Sequence, residues 1–158
     1  MLAFAFYDVV VAVHVMAVVA AFGVTFAYPV FVPWLRRTHP EAMPAVHDSR
    51  DRLGRLLMSP GMGVVLIAGI YLATKAKVWS EAWVTVPLVI LIVIGALGGM
   101  FFAPNERRLG ELARRDLATG KGFSAEYDAL FARVASAGLA TIALVLIAIF
   151  FMVAKPGA

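Results

Sequence analysis

Four apolar runs, each long enough to cross a lipid bilayer, constrain this chain more than any other feature. They cover about residues 7–35, 56–74, 84–103 and 134–153. A hydrocarbon layer takes about 20 consecutive apolar residues in helical form. Only helices and closed barrels satisfy their backbone polar groups in lipid, and uninterrupted apolar runs of this length are helical. The fold expected is therefore an all-α, integral membrane four-helix bundle. The charges support this partition. They make up only 15% of the 158 residues and gather between Arg36 and Arg55 and between Glu106 and Arg133.

Orientation follows from the basic residues. Of the 14 lysines and arginines, Lys75, Lys77 and Lys155 lie on one side, and the other eleven lie in the connections 36–55 and 104–133. By the positive-inside rule those two connections are cytoplasmic, which puts both termini outside. Trp79 and Trp83, with Lys75 and Lys77, read as interfacial anchors of the short outer loop. The N-terminal segment lacks a basic leader, and its apolar stretch from Val9 to Leu35 exceeds a signal-peptide core. It is expected to remain as the first span of a multi-pass protein of a bacterial inner membrane. The excess positive charge flanks membrane spans and accompanies no binding motif, so no nucleic-acid partner is expected.

Local signals add detail. Pro29 and Pro33 predict a kink late in the first span. The connection 36–55 reads as a solvated loop whose second half, from about Ala45, can run as a short helix into the second span. His39 and His47, with Glu41, Asp48 and Asp51, match no recognised metal-ligand spacing. Asn105 is expected to cap an amphipathic stretch from Glu106 to Ala118, and Ser124 to cap the last helix. The pairs Arg107-Arg108 and Arg114-Arg115 are expected to meet anionic headgroups. Gly95 and Gly99 form a Gly-x-x-x-Gly pair that suits close helix packing, within the bundle or as the seam of a homo-oligomer or membrane partner.

Ionisable groups inside a span are costly and are functional candidates. His14 is the chief one. Tyr7, His14, Thr25 and Tyr28 recur at steps that keep them on one helix face, so this polar stripe should look into the bundle. A neutral imidazole there can hydrogen-bond a neighbouring helix, relay protons, or ligate haem b or another metal centre. Lys75, at similar depth, and Tyr28 are weaker cofactor-binding candidates. No second intramembrane histidine is present. With no cysteine, no serine–histidine–acid set and no paired intramembrane carboxylates, no catalytic residue is assigned.

The segment from Tyr7-Asp8 through His14 to Ala20-Ala21-Phe22-Gly23-Val24-Thr25-Phe26, with Gly69-Ile70-Tyr71-Leu72, resembles a bacterial family of predicted integral membrane proteins, numbered 2269 among domains of unknown function. The layout is distantly similar to copper resistance protein D and to HemJ-type membrane proteins, which also place a histidine early in the first span. That resemblance implies a haem-associated role for His14 and no other residue. After His14, Ala20-Ala21-Phe22-Gly23 departs from the HemJ pattern of Trp-Phe-Ala-Gly. Three function classes follow: a cofactor-binding membrane protein, an accessory subunit acting through helix association, and a small transporter or channel.

Overall fold

The computed structural model describes residues 6–157. Among them the chain forms four long helices, α1 (Phe6–Thr38), α2 (Pro40–Ala76), α3 (Ala82–Thr119) and α4 (Ala125–Ala154). The expected spans all fall inside these helices, and no strand occurs among the described residues. At 1.5 Å per residue the helices are roughly 45–57 Å long, beyond a hydrocarbon layer of about 30 Å. The surplus lies at one end, where the first half of α2 and the second half of α3 project together beyond the span and pack on each other. The connection 36–55 is therefore not a solvated loop. It is helical along nearly all its length, and it buries Met43, His47 and Asp51.

Three prolines shape the helices. A proline ring crowds the carbonyl four residues earlier. For Pro29 that residue is Thr25, inside the 3-10 turn Gly23–Phe26 that interrupts α1. For Pro60 it is Leu56, inside a widened π turn at Gly54–Met58. For Pro104 it is Met100, inside a second π turn at Gly98–Phe102. Where a kink was expected late in the first span, α1 changes to this 3-10 turn just before Pro29 and resumes as α-helix at Tyr28. Asn105 does not cap a new helix, because α3 runs through it, and its side-chain amide donates to the Phe101 carbonyl at 2.7 Å. Ser124 does cap α4, accepting from the Tyr127 amide at 3.3 Å. Gly120 and Gly122, at φ 67° and 80°, make the turn before it.

Two apolar cores hold the bundle. At the end rich in arginine, Val32, Met43, Leu109, Leu112, Tyr127, Phe131 and Val134 pack together. Nearer the other end, Ala21, Phe22, Ile90, Ile94 and Val145 form the second core. The α1–α2 contact is close: a Cβ on Gly61 would lie 2.9 Å from Ala21 Cβ. The first and last described residues share one end with the tryptophan loop, where Lys155 lies over the Trp83 ring and Phe6 meets Tyr71. The outward faces carry Val19, Ile67, Ile92 and Val153, each more than half exposed, as lipid-facing helices require.

Candidate functional site

The sequence stripe on α1 is only partly turned inward. His14 and Thr25 are buried and Tyr28 is half-buried, but Tyr7, one turn into the helix, is exposed. His14 packs its ring edge against Gly69 of α2, where an added Cβ would lie 3.3 Å from Cε1. Its Nδ1 is buried without a hydrogen-bond partner. The ring borders an apolar cavity of about 110 Å³, with Val18, Leu66, Leu91, Val145 and Ile149 around it. Lys75 is exposed, engages the Tyr71 ring at 6.0 Å, and does not line this cavity.

A polar cluster with far more connections lies at the arginine-rich end, assembled from three helices. His47 of α2 is fully buried. Its Nδ1 lies 2.7 Å from Glu106 Oε2 on α3, and its Nε2 lies 2.9 Å from the Tyr127 hydroxyl on α4. Burial pushes the Tyr127 hydroxyl well above its ordinary range, which keeps its proton in place. The His47 ring thus bridges Glu106 and Tyr127 through its two nitrogens. Arg50 Nη1 reaches Glu106 Oε1 at 2.8 Å, while its guanidinium covers the Tyr28 ring at 4.6 Å. That ion pair lies off the hydrogen-bonding direction, so Glu106 Oε1 still lacks a hydrogen bond. Asp51, also buried, pairs with Arg55 at 2.6 Å and Arg107 at 3.4 Å.

Local sequence explains how these groups meet. Met43, His47 and Asp51 are spaced by four, and Glu106, Gly110, Ala113 and Asp116 by three or four, so each set lines one helix face. Gly110 lets the faces approach: its Cβ would meet Asp48 Oδ1 at 3.3 Å and His47 Cβ at 3.6 Å. On α4 and the turn before it, Phe123, Tyr127 and Phe131 stack in a ladder, with Arg36 of α1 within 5.6 Å of all three centroids. Arg36 also pairs with Asp128. The arginines of α3 expected to face headgroups are half exposed and each also pairs with a carboxylate of the chain. Arg107 meets Asp51, Arg108 meets Glu111 and Glu126, Arg114 meets Asp48, and Arg115 meets Asp116 and Glu126.

Arg50, Asp51, Arg55 and Glu106 of this cluster line one end of a cavity of about 380 Å³ between the four helices. Both π turns contribute to its wall, through Gly54, Met58, Gly98, Gly99 and Phe102. Gly95 also lines it, its Cβ position 3.4 Å from Met62 Cε, whereas Cβ atoms on Gly98, Gly99 and Gly138 would meet nothing within 4 Å. Thr25 Oγ1, Tyr28 Oη and Glu106 Oε1 are buried polar atoms without a hydrogen bond, and their three residues all line this cavity. Sequence reasoning found Thr25 and Tyr28 but missed His47, Arg50, Glu106 and Tyr127. The available signal was the run of buried spacing that continues past the apolar spans into the charged connections. Among the described residues, no three histidine or acidic side chains converge as a metal site.

The four long apolar helices define an integral membrane protein with a polar network at one end of its bundle. The chain belongs to the family described as predicted integral membrane protein (DUF2269), whose model matches residues 8–156. No curated protein and no solved structure matches it.

Proposed function

We propose that this protein is a membrane-embedded binding protein whose site is the 380 Å³ cavity at the arginine-rich end. The observation that carries the reading is the graded wall of that cavity, with Arg50, Asp51, Arg55 and Glu106 at one end and apolar side chains such as Met62, Ile94 and Ile142 beyond them. The volume lies within the roughly 300–1,000 Å³ typical of small-molecule sites. With the basic connections cytoplasmic, the site opens in the inner half of a bacterial inner membrane.

The test is native mass spectrometry of detergent-purified protein beside the Gly138→Leu variant. Gly138 lines the cavity and an added Cβ meets nothing within 4 Å, so a leucine side chain starts from open space and projects into the site. A small molecule retained by the wild type and absent from the variant is the expected result. Equal retention, or none together with no thermal stabilisation by any added amphiphile, removes the reading.

His14 as a ligand of haem b or a metal ion rests on a separate observation, its unpartnered Nδ1. The 110 Å³ cavity beside it falls short of the room a porphyrin needs, and Met152 is the other side chain of its lining with a haem-ligating atom. A visible spectrum and metal analysis of the same sample decide the matter: a colourless, metal-free protein that takes up no added haem ends that reading. Association with a second copy or another membrane protein through Gly95 and Gly99 is supported by the exposure of Gly99. Unchanged oligomer size after replacement of both by leucine removes it.

A further inference from the structure

We infer that the cavity holds one chain of an anionic glycerophospholipid whose phosphate rests on Arg55 and Arg107, in preference to a zwitterionic lipid. This rests on the binding reading above and adds the class of ligand. The two arginines come from different helices and meet on one carboxylate. Asp51 Oδ2 lies 2.6 Å from Arg55 Nη2 and 3.4 Å from Arg107 Nε. The Asp51 side chain is 8% exposed, whereas those of Arg55 and Arg107 are 54% and 55% exposed. A buried negative charge thus holds two cations that face outward, and the surface they present is positive. Arg107 turns its Nε to Asp51, and among the described residues its two Nη atoms have no hydrogen-bond partner. Guanidinium groups held side by side, with N–H donors to spare, suit the oxygens of a phosphate. Arg52, exposed and three residues before Arg55 on the same helix, adds to the positive field.

The pair stands at a mouth of the cavity. Arg55 and Ser59 of α2 and Gly99 of α3 line it and are also exposed, so it opens along the seam between these helices. Gly99, Ala103 and Arg107 are spaced by four and share a face of α3. The two arginines therefore flank the polar end of that seam. Next to them the surface turns apolar, with Leu56 of α2 and Met100 of α3 strongly exposed, which marks the boundary between headgroups and hydrocarbon. Inward from Arg55 the wall is apolar too, through Met58, Met62 and Ile94. A phospholipid entering here puts its phosphate on the arginines and one acyl chain along that wall. Charge selects the head. An ammonium group would need a carboxylate, and each one nearby is occupied: Asp51 by the two arginines, Glu106 by Arg50 and His47, Asp48 by Arg114, and Glu111 by Arg108. A head with a net negative charge meets the surplus of cations without that cost.

The experiment is native mass spectrometry of the delipidated full chain in detergent, titrated with dioleoyl phosphatidylglycerol, phosphatidylethanolamine and phosphatidylcholine. Phosphatidylglycerol is expected to fill one site about fivefold more tightly than the other two, the worth of one arginine at a membrane surface. Arg55→Gln and Arg107→Gln each leave Asp51 one guanidinium, so the fold is kept, and each should remove most of that preference. Arg37→Gln, at an exposed position on α1, is the control and should keep it. Gly138→Leu should weaken all three lipids alike, because it fills the chain site. Equal affinity for the three lipids overturns the inference and leaves the binding reading standing. So does a preference that survives both glutamine variants or is lost equally in Arg37→Gln, and so does displacement of phosphatidylglycerol by an equal concentration of glycerol phosphate. If Gly138→Leu binds every lipid as the wild type does, the inference and the binding reading both fall. If none of the three binds saturably to a monodisperse sample, the inference falls, and the binding reading is left to the retained-ligand test above.

Discussion

The protein buries two histidines in opposite circumstances. His14 sits in an apolar setting within a membrane span, packed on Gly69, with Nδ1 unpartnered. His47 lies in a segment that reads as a charged connection, yet it is wholly buried and both ring nitrogens are engaged, by Glu106 and Tyr127. The difference teaches that depth in the bilayer and structural commitment are separate properties. An imidazole in lipid is conspicuous because it is costly there. An imidazole at the end of a bundle is inconspicuous, but three helices can be fastened through it when its partners arrive from other parts of the chain.

The sharpest way to break this comparison is Glu106→Ala. It removes the partner of both His47 and Arg50, and Arg50 is only 14% exposed. Taking one member from a buried charge pair costs about 3–5 kcal/mol, so a large fall in Tm is expected in detergent. An unchanged Tm would show that the network does not hold the bundle. Next comes the direct contrast of the histidines. His47→Leu strands Glu106 and Tyr127 and should cost about 2–3 kcal/mol, whereas His14→Leu replaces an unsatisfied group by an apolar one and should stay within about 1 kcal/mol of the wild type. Equal losses in the two variants would erase the distinction.

A smaller effect separates packing from chemistry at the other end. Gly61→Ala places a methyl group 2.9 Å from Ala21 Cβ, where backbone and not a flexible side chain must yield, and should cost about 1–3 kcal/mol. Gly63→Ala, with nothing within 4 Å, serves as its control and should be neutral or slightly stabilising. Parallel thermal melts measure both.

The smallest effect concerns pH. The Ser124 hydroxyl, at 2.6 Å, and the Ser124 amide, at 2.8 Å, hold the Asp116 carboxyl below its ordinary range, with help from Arg115. A carboxylate whose pKa is lowered on folding contributes stability that is full above its unfolded pKa, about 4, and lost as pH falls through the lowered value. The wild type should therefore lose Tm on acidification below about pH 4, and Asp116→Asn should have a lower Tm at neutral pH and a shallower acid limb. Identical acid limbs would show that this turn carries no such linkage.

Much of the fold was legible because hydrocarbon imposes a one-dimensional rule: an apolar run of sufficient length must be a helix, and a polar atom left in it must find company. The Ser124 cap was legible too, since capping is local. Asn105 misled because Pro104 resembles a helix start, yet a π turn at Gly98–Phe102 absorbs the proline and lets the helix continue. The charged connections misled more seriously. Their arginines suggested solvent and headgroups, but seven of the ten have a carboxylate of the same chain within reach. Pairing across 56 to 92 residues leaves no local periodicity to read.

The sequence by itself determined that this chain is a four-helix membrane protein, and it marked His14, Thr25 and Tyr28 as polar groups that must face inward. Only the tertiary structure decided that Thr25 and Tyr28 line a different cavity from His14, that Arg50 and Glu106 complete its wall, and that His47 and Tyr127 hold Glu106 from behind. The reason is physical. Insertion into a bilayer is governed by the composition of each segment, whereas a buried polar network depends on which distant side chains the crossing of helices brings within hydrogen-bonding distance.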